Sequence, residues 1–240
     1  MPPTAKGGSS PYDRAPTNFP RRCPGTDAEP ARRVPDLGGA PVCQVGVEAV
    51  AEKDGPGTVY VHWLGWTGAP DTVLGPPKDQ GSMWLKAWVD GADHFERDWG
   101  LAYRIMQDHG RGMVSQGTRE WRDYRASVKL NPHMMDACGL AVRVQGMTRY
   151  YALVLTRDSK VRLVKMLDRE RLMAEAPCAV EFGGTYELAL EAKGDRLRAF
   201  VGGVQVFDAR DPERSFDGGG VGLLVEVGRL HAGPVTIRPV

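Results

Sequence analysis

Short stretches that alternate apolar and polar residues fill the second half of the chain, and this pattern limits the fold more than any other feature. Successive side chains of a strand point to opposite faces. In residues 139–146, one face would carry Leu140, Val142 and Val144, and the other would carry Ala141, Arg143 and Gln145. Comparable stretches follow, separated by turn sequences such as 193–195 and 202–203. About ten strands with turns roughly every 8–12 residues predict an all-β sandwich or jelly roll.

The β pattern is weaker upstream of residue 110. Residues 41–69 predict a hairpin around a Gly- and Pro-rich turn. Trp84 and Trp88 are four residues apart and would share a face of a short helix. We therefore predict three regions: a disordered leader (1–39), a partial β segment with a connector (40–97) and a β-sandwich (98–240).

The leader is rich in proline and arginine and contains no apolar core of a signal peptide. The dipeptide Arg21-Arg22 is not followed by the apolar stretch of an export signal. The cysteines form no CxxC pair; they are Cys23, Cys43, Cys138 and Cys178. The sequence thus predicts reduced thiols and a cytoplasmic location.

The balance of acidic and basic residues limits the classes of partner that the chain is expected to bind. Lys plus Arg is 31 and Asp plus Glu is 30, a formal charge of +1. Proteins that bind nucleic acid usually carry a basic surface, so a nucleic-acid partner is not expected. Because no apolar run approaches the length of a membrane span, no membrane partner is expected either.

No coherent catalytic set stands out. The sequence has no glycine-rich phosphate loop before a helix and no GxSxG motif, and its histidines are scattered. A glycosidase needs two neighbouring carboxylates, and one alternative is a hydrolase that uses Glu187, Glu191 and Glu226 on a concave sheet. The competing interpretation of Glu187 and Glu191 is a solvated strand face. Asp208, Asp211 and Asp217 crowd one loop and could bind calcium, or could simply form turns.

A ligand face, if the sandwich has one, would lie on the non-core sides of the strands. Flat aromatic rings there would stack on sugar faces, although Trp and Tyr also fill sandwich cores. Arg143 interrupts an apolar strand, so its charge should face solvent or meet an anionic or hydroxyl-rich partner. The candidate ligand-binding residues are Arg143, Gln145, Tyr150, Glu187, Arg198, Glu226 and Trp121.

The 41–69 hairpin carries Trp63 and Trp66, which fall on opposite faces of a strand. Two strands alone are marginal in water, so they must pack on the rest of the chain or on a partner. This hairpin is therefore the predicted surface for self-association or for a protein partner.

Two stretches, 112–124 and 139–153, resemble the C-terminal sandwich of bacterial ADP-ribosylglycohydrolase family proteins. The resemblance continues through Tyr186-Glu-Leu, Gly194-Asp-Arg, Phe207-Asp208 and Gly220-Val-Gly-Leu223, and upstream through 45–48 and 57–71. It implies a concanavalin-like, laminin-G-like jelly-roll sandwich over 98–240, preceded by a partial jelly-roll segment.

The hydrolase domain of that family is helical and binds magnesium through clustered acidic residues, and the sequence offers no such domain. The resemblance therefore implies the accessory half without catalytic residues, as a stand-alone binding protein, a hydrolase subunit or a truncated gene product. Three functions remain open: a carbohydrate- or glycoconjugate-binding module, a glycosidase-like hydrolase, and a protein-interaction module.

Overall fold

The computed structural model describes residues 58, 60, 70–76, 83–98 and 100–240, without the side chain of Met83. The leader at 1–39, the Trp63/Trp66 hairpin, Cys23 and Cys43 lie outside the described residues. Within the described residues, no helix is long and apolar enough to cross a membrane.

The described chain is almost entirely β, as the alternation predicts. One short 3-10 helix, Met83–Ala87, holds Trp84, and Trp88 follows it directly. The strands are β1 (Thr72–Leu74), β2 (Val89–Gly91), β3 (His94–Arg97), β4 (Tyr103–Gln116), β5 (Tyr124–His133), β6 (Ala137–Gly146), β7 (Arg149–Thr156), β8 (Lys160–Leu167), β9 (Arg169–Pro177), β10 (Tyr186–Lys193), β11 (Arg196–Val201), β12 (Val204–Arg210), β13 (Gly220–Ala232) and β14 (Val235–Pro239).

The long strands β4 and β13 pair along nearly their whole length and pass from one layer of the sandwich to the other. The ladder shifts at Glu226/Gly228, where Val227 has a φ of 40° and Gly228 a φ of 129°. Such a bulge bends the strand. Before the bulge β13 pairs with β6, and after it β13 pairs with β5.

Two layers result. Sheet A contains β12-β11-β10-β5, with β14, β1, β3 and the 228–232 and 103–107 halves of β13 and β4. Sheet B contains β9-β8-β7-β6, with the 220–226 and 111–116 halves and β2. The strands between residues 72 and 97 lie in the region expected to hold the partial β segment and connector, and they pair with strands of the sandwich. All of these pairs are antiparallel.

The core lies between the two sheets. Sheet B contributes Leu140, Leu153, Leu163 and Leu223, and sheet A contributes Leu130, Leu188, Leu190 and Leu197. Trp84 and Trp88 share a face as predicted, because both rings contact Tyr103, at centroid distances of 5.7 and 5.1 Å. Both indoles are buried.

The opposite, outer face of sheet B carries a second buried cluster: Met113, Ala137, Ala141, Val144, Tyr150, Ala152, Val154, Val164 and Leu224. The prediction that Val144 shares the core face with Leu140 and Val142 is wrong. Arg143 has a φ of 50°, and the β6–β7 register shifts between Val142 and Gly146. One residue in the left-handed region turns each later side chain of β6 to the other face.

Candidate functional site

A pocket of about 470 Å³ opens on the outer face of sheet B. It combines four charged side chains with an apolar wall that includes three methionines. The lining residues are Arg111, Met113, Met147, Thr148, Tyr150, Met166, Asp168, Glu170 and Glu226. We call it the Arg111 pocket.

Strand register places these side chains. Glu226 of β13 lies directly opposite Arg111 of β4. Tyr150 of β7 lies opposite Met166 of β8, which in turn lies opposite Glu170 of β9. Cross-strand partners point to the same face. The two groups therefore approach the outer face from opposite ends of sheet B.

Arg111 joins the two groups. Its Nη2 donates to Glu226 Oε2 at 2.9 Å, and its Nη1 donates to Glu170 Oε2 at 2.6 Å and to Tyr150 Oη at 3.2 Å. β13 and β6 lie between β4 and β7, so the contact with Tyr150 spans three strand spacings of about 4.8 Å each. The contact with Glu170 of β9 spans five spacings, so sheet B must curl to bring these side chains together.

The electrostatics of the pocket centre on this guanidinium. Burial alone would lower the pKa of Arg111, but its bonds to Tyr150, Glu170 and Glu226 hold that pKa above its ordinary value. The side chains of Arg111, Glu170 and Glu226 keep 21%, 37% and 35% of their exposure, so a ligand can reach them from solvent.

Two of the predicted ligand-binding residues, Tyr150 and Glu226, meet in this pocket. Tyr150 lies on the non-core side as expected, but it is buried in the outer cluster, and only its hydroxyl takes part in the Arg111 contact. The other five predicted residues lie elsewhere.

Arg143 is neither solvent-facing nor available to a ligand. Its side chain is 2% exposed. Nη1 donates to the carbonyls of Gly194 and Phe216, both at 2.6 Å, and Nη2 to Asp123 Oδ1 at 3.1 Å. The left-handed backbone of Arg143 removes the side chain from the alternation that predicts an outward position.

Gln145 and Trp121 also serve the fold. Gln145 Nε2 donates to the Gly218 carbonyl at 2.7 Å. The Trp121 ring packs edge-on against Tyr124, with centroids 6.1 Å apart. Neither residue lines the Arg111 pocket.

Glu187 and Arg198 lie on sheet A. Glu187 is exposed opposite Lys129 of β5, and Arg198 Nε donates to Glu191 at 2.9 Å. Glu191 is 5% exposed, so its assignment to a solvated strand face is wrong. Because Glu187 and Glu191 lie on sheet A and Glu226 lines a pocket of sheet B, the structure does not gather these three carboxylates into one site.

The three aspartates expected at a calcium site have separate surroundings. Asp208 pairs with Arg196, and Asp217 is exposed. Asp211 is buried between Lys165, Arg171 and the Tyr151 hydroxyl, which is 2.7 Å from Asp211 Oδ2. In the part of the chain that the structure describes, no group of three or more His, Cys, Asp and Glu side chains could hold a metal ion.

The sequence reasoning missed Arg111, Asp168 and Glu170. The run Asp168-Arg-Glu-Arg171 alternates acidic and basic residues, which is the period of a strand, but no strand is predicted there because the segment is so polar. The structure shows that β9 begins in this run, at one end of the main strand path. The alternation of acidic and basic side chains in this run is the sequence signal that could have predicted the strand.

No protein-family model and no curated protein sequence matches the chain. Among solved structures, the carbohydrate-binding module CBM66 from Bacillus subtilis aligns with 19% identity and a TM-score of 0.57, over 63% of this chain and 95% of that one. This likeness confirms the β-sandwich fold.

Two further solved structures align less well. The Caenorhabditis elegans galectin LEC-6 has 12% identity and a TM-score of 0.41, over 64% of this chain and 97% of that one. A Bacillus subtilis protein of unknown function with a galectin-like fold has 11% identity and a TM-score of 0.47, over 66% and 92%.

Proposed function

We propose that this chain is a non-catalytic carbohydrate-binding β-sandwich module and that its ligand occupies the Arg111 pocket. The observation that carries the proposal is the contact of one guanidinium with Glu226, Glu170 and the Tyr150 hydroxyl in an open pocket. Sugar hydroxyls both donate and accept hydrogen bonds. Carboxylates accept from them, and a guanidinium donates to them in a fixed geometry.

The apolar wall of the pocket supports the same ligand class. Met113, Met147 and Met166 offer flexible, polarizable side chains to the C–H faces of a sugar ring. Small-molecule sites generally combine such surfaces with a few placed polar groups. The likeness to the carbohydrate-binding module CBM66 adds support by analogy of fold, which by itself is a weak guide to function.

A glycan array probed with the full chain tests the proposal. We expect specific binding that falls at least tenfold in Glu226→Gln, because the amide presents one acceptor oxygen instead of two. The matched control is Glu187→Gln, the same change at an exposed carboxylate of sheet A, which should bind as the wild type does. A folded wild-type protein that binds no glycan would refute the proposal and favour a protein-interaction module.

The sequence resemblance supports a finer proposal, that the module serves an ADP-ribosylglycohydrolase, as a separate subunit or an accessory part. Soluble ADP-ribose offers the hydroxyls of two riboses to the carboxylates of the pocket. We expect it to displace a bound glycan, and to do so less well in Glu226→Gln. Displacement that does not differ between wild type and Glu226→Gln would separate ADP-ribose from the Arg111 pocket.

One observation favours a second candidate function, glycoside hydrolysis. Glu170 and Glu226 each contact the same guanidinium, so two carboxylates border one pocket. Incubating each array-positive glycan with the protein and assaying reducing ends distinguishes the two functions. Turnover that disappears in both Glu170→Gln and Glu226→Gln would support an enzyme, and binding without turnover supports the module.

A further inference from the structure

A second cavity, of about 310 Å³, borders the Arg111 pocket. Its lining is mainly charged: Lys165, Leu167, Arg169, Glu170, Arg171, Asp211, Glu213 and Arg214. Glu170 lines both cavities. We call this second space the Arg169 cavity.

The charged side chains of residues 168–171 line different cavities. Asp168 lines only the Arg111 pocket, whereas Arg169 and Arg171 line only the Arg169 cavity. β9 pairs with β8 on one side and ends the main strand path of the described residues. A ligand can therefore cross this edge and meet acceptors on one side and guanidinium donors on the other.

Most charges around the Arg169 cavity are already paired. Lys165 and Arg171 both bind Asp211, and Glu170 binds Arg111. Among the described residues, the side chains of Arg169, Arg214 and Glu213 have no ion pair in the structure and are exposed to solvent. Two guanidinium groups against one carboxylate, all without an ion pair in the described part of the chain, leave the cavity with donors open to a ligand and an excess of one positive charge.

We propose that the Arg169 cavity binds an anionic substituent of the carbohydrate, a carboxylate or a sulfate ester, while a neighbouring sugar ring occupies the Arg111 pocket. This inference rests on the proposed carbohydrate-binding function. Arg is the residue suited to it, because its planar fork matches the oxygens of such groups and forms charge-assisted hydrogen bonds. The acidic Arg111 pocket alone would disfavour an anion. The two cavities together therefore fit a ligand that has a neutral sugar ring and a neighbouring anionic group.

Three probes test the inference with the full chain: a heparin-derived oligosaccharide for sulfate, an oligogalacturonate for carboxylate, and a neutral galacto-oligosaccharide. Affinities are measured by calorimetry for the wild type and for Arg169→Gln/Arg214→Gln. The matched control is Arg119→Gln/Arg229→Gln, which removes the same charge from two exposed positions outside both cavities.

We expect at least one acidic probe to bind at least tenfold more tightly than the neutral probe. That difference should disappear in Arg169→Gln/Arg214→Gln and persist in the control. A preference for sulfate over carboxylate, or the reverse, identifies the substituent.

Three results would overturn the inference. If the wild type binds the neutral probe at least as tightly as both acidic probes, the inference fails and the carbohydrate-binding function stands. The inference also fails, and the carbohydrate-binding function stands, if both double variants lose affinity for the acidic probes equally. That result would mean that the affinity depends on net charge and not on the Arg169 cavity. Binding of no probe and of no glycan on the array would overturn the function and this inference together.

Discussion

Arg143→Met tests the assignment of Arg143 to the fold rather than to a ligand. The methionine keeps most of the apolar stem and removes the guanidinium, which donates to the carbonyls of Gly194 and Phe216 at 2.6 Å and to Asp123 at 3.1 Å. A buried acceptor left without a partner costs about 1–3 kcal/mol, and the Phe216 contact is fully buried. The guanidinium also donates from Nε to the Arg122 carbonyl at 3.2 Å, and loss of these three carbonyl contacts and of the Asp123 ion pair gives an expected loss of about 3 kcal/mol of unfolding free energy.

Urea denaturation followed by far-ultraviolet circular dichroism measures this loss. Arg122→Met is the control, since the side chain of Arg122 is exposed and only its backbone carbonyl accepts a hydrogen bond from Arg143 Nε. It should change the unfolding free energy by less than about 0.5 kcal/mol. An Arg143→Met protein within about 1 kcal/mol of wild type, with unchanged denaturant dependence, would refute the structural role.

The backbone of Arg143 allows an independent check. Its φ of 50° disfavours any residue with a Cβ, by roughly 1 kcal/mol, whereas glycine adopts it freely. Arg143→Gly and Arg143→Ala both lose the guanidinium, but we expect the glycine variant to be the more stable by about 1 kcal/mol. At an ordinary strand position the order would be reversed.

Other parts of the fold carry further expectations. Lys165→Met leaves the buried Asp211 without its closest cation and should cost about 3 kcal/mol by urea denaturation, partly recovered in Lys165→Met/Asp211→Asn. Burial raises the pKa of Asp211, but the hydrogen bonds from Lys165 and Tyr151 and the charge of Arg171 outweigh it and leave that pKa below its ordinary value. The stability from this ionisation is therefore complete above a pH of about 4 and is lost as the pH falls through the lowered pKa, a loss that acid titration should find smaller in Asp211→Asn. Gly219→Ala places a Cβ 2.4 Å from the Arg143 carbonyl carbon at a φ of 148°, so its midpoint in urea should fall by an amount equivalent to about 2 kcal/mol. Burial raises the pKa of Cys138 to about 12, so mass spectrometry should find this thiol unmodified after native treatment with iodoacetamide.

The strand pattern of the sequence was sufficient for most of the sandwich. Strands β5 to β8 and β10 to β14 follow from alternation and from glycine turns, because each has one face in the core. β9 was not predicted because most of its residues are exposed or half-buried, so its sequence shows no apolar face. β1 was not predicted because its three residues lie within a Pro- and Gly-rich stretch.

The candidate site was only partly accessible from the sequence. Tyr150 and Glu226 follow from strand alternation, but their meeting depends on Arg111 of β4, which lies next to β13 and three strands from β7. The misplacement of Arg143 has another cause. A single residue in the left-handed conformation reverses the side of every later residue on its strand. Arginine rarely adopts that conformation, so the sequence does not indicate it here.

Arg111 and Arg143 show how the partners of a charged side chain separate a binding role from a structural one. Arg143 binds main-chain carbonyls, of which that of Phe216 is in a buried contact, so removing the guanidinium would leave a buried acceptor without a partner. Arg111 binds the side chains of Glu170 and Glu226, which are partly exposed and can exchange the guanidinium for water or for a hydroxyl. Because both carboxylates keep about a third of their exposure, a ligand can enter between Arg111 and its carboxylates without leaving either of them buried and unpaired. The strand pattern indicated Arg143 and not Arg111, whereas the partners of the two side chains support the proposal that the ligand binds at Arg111.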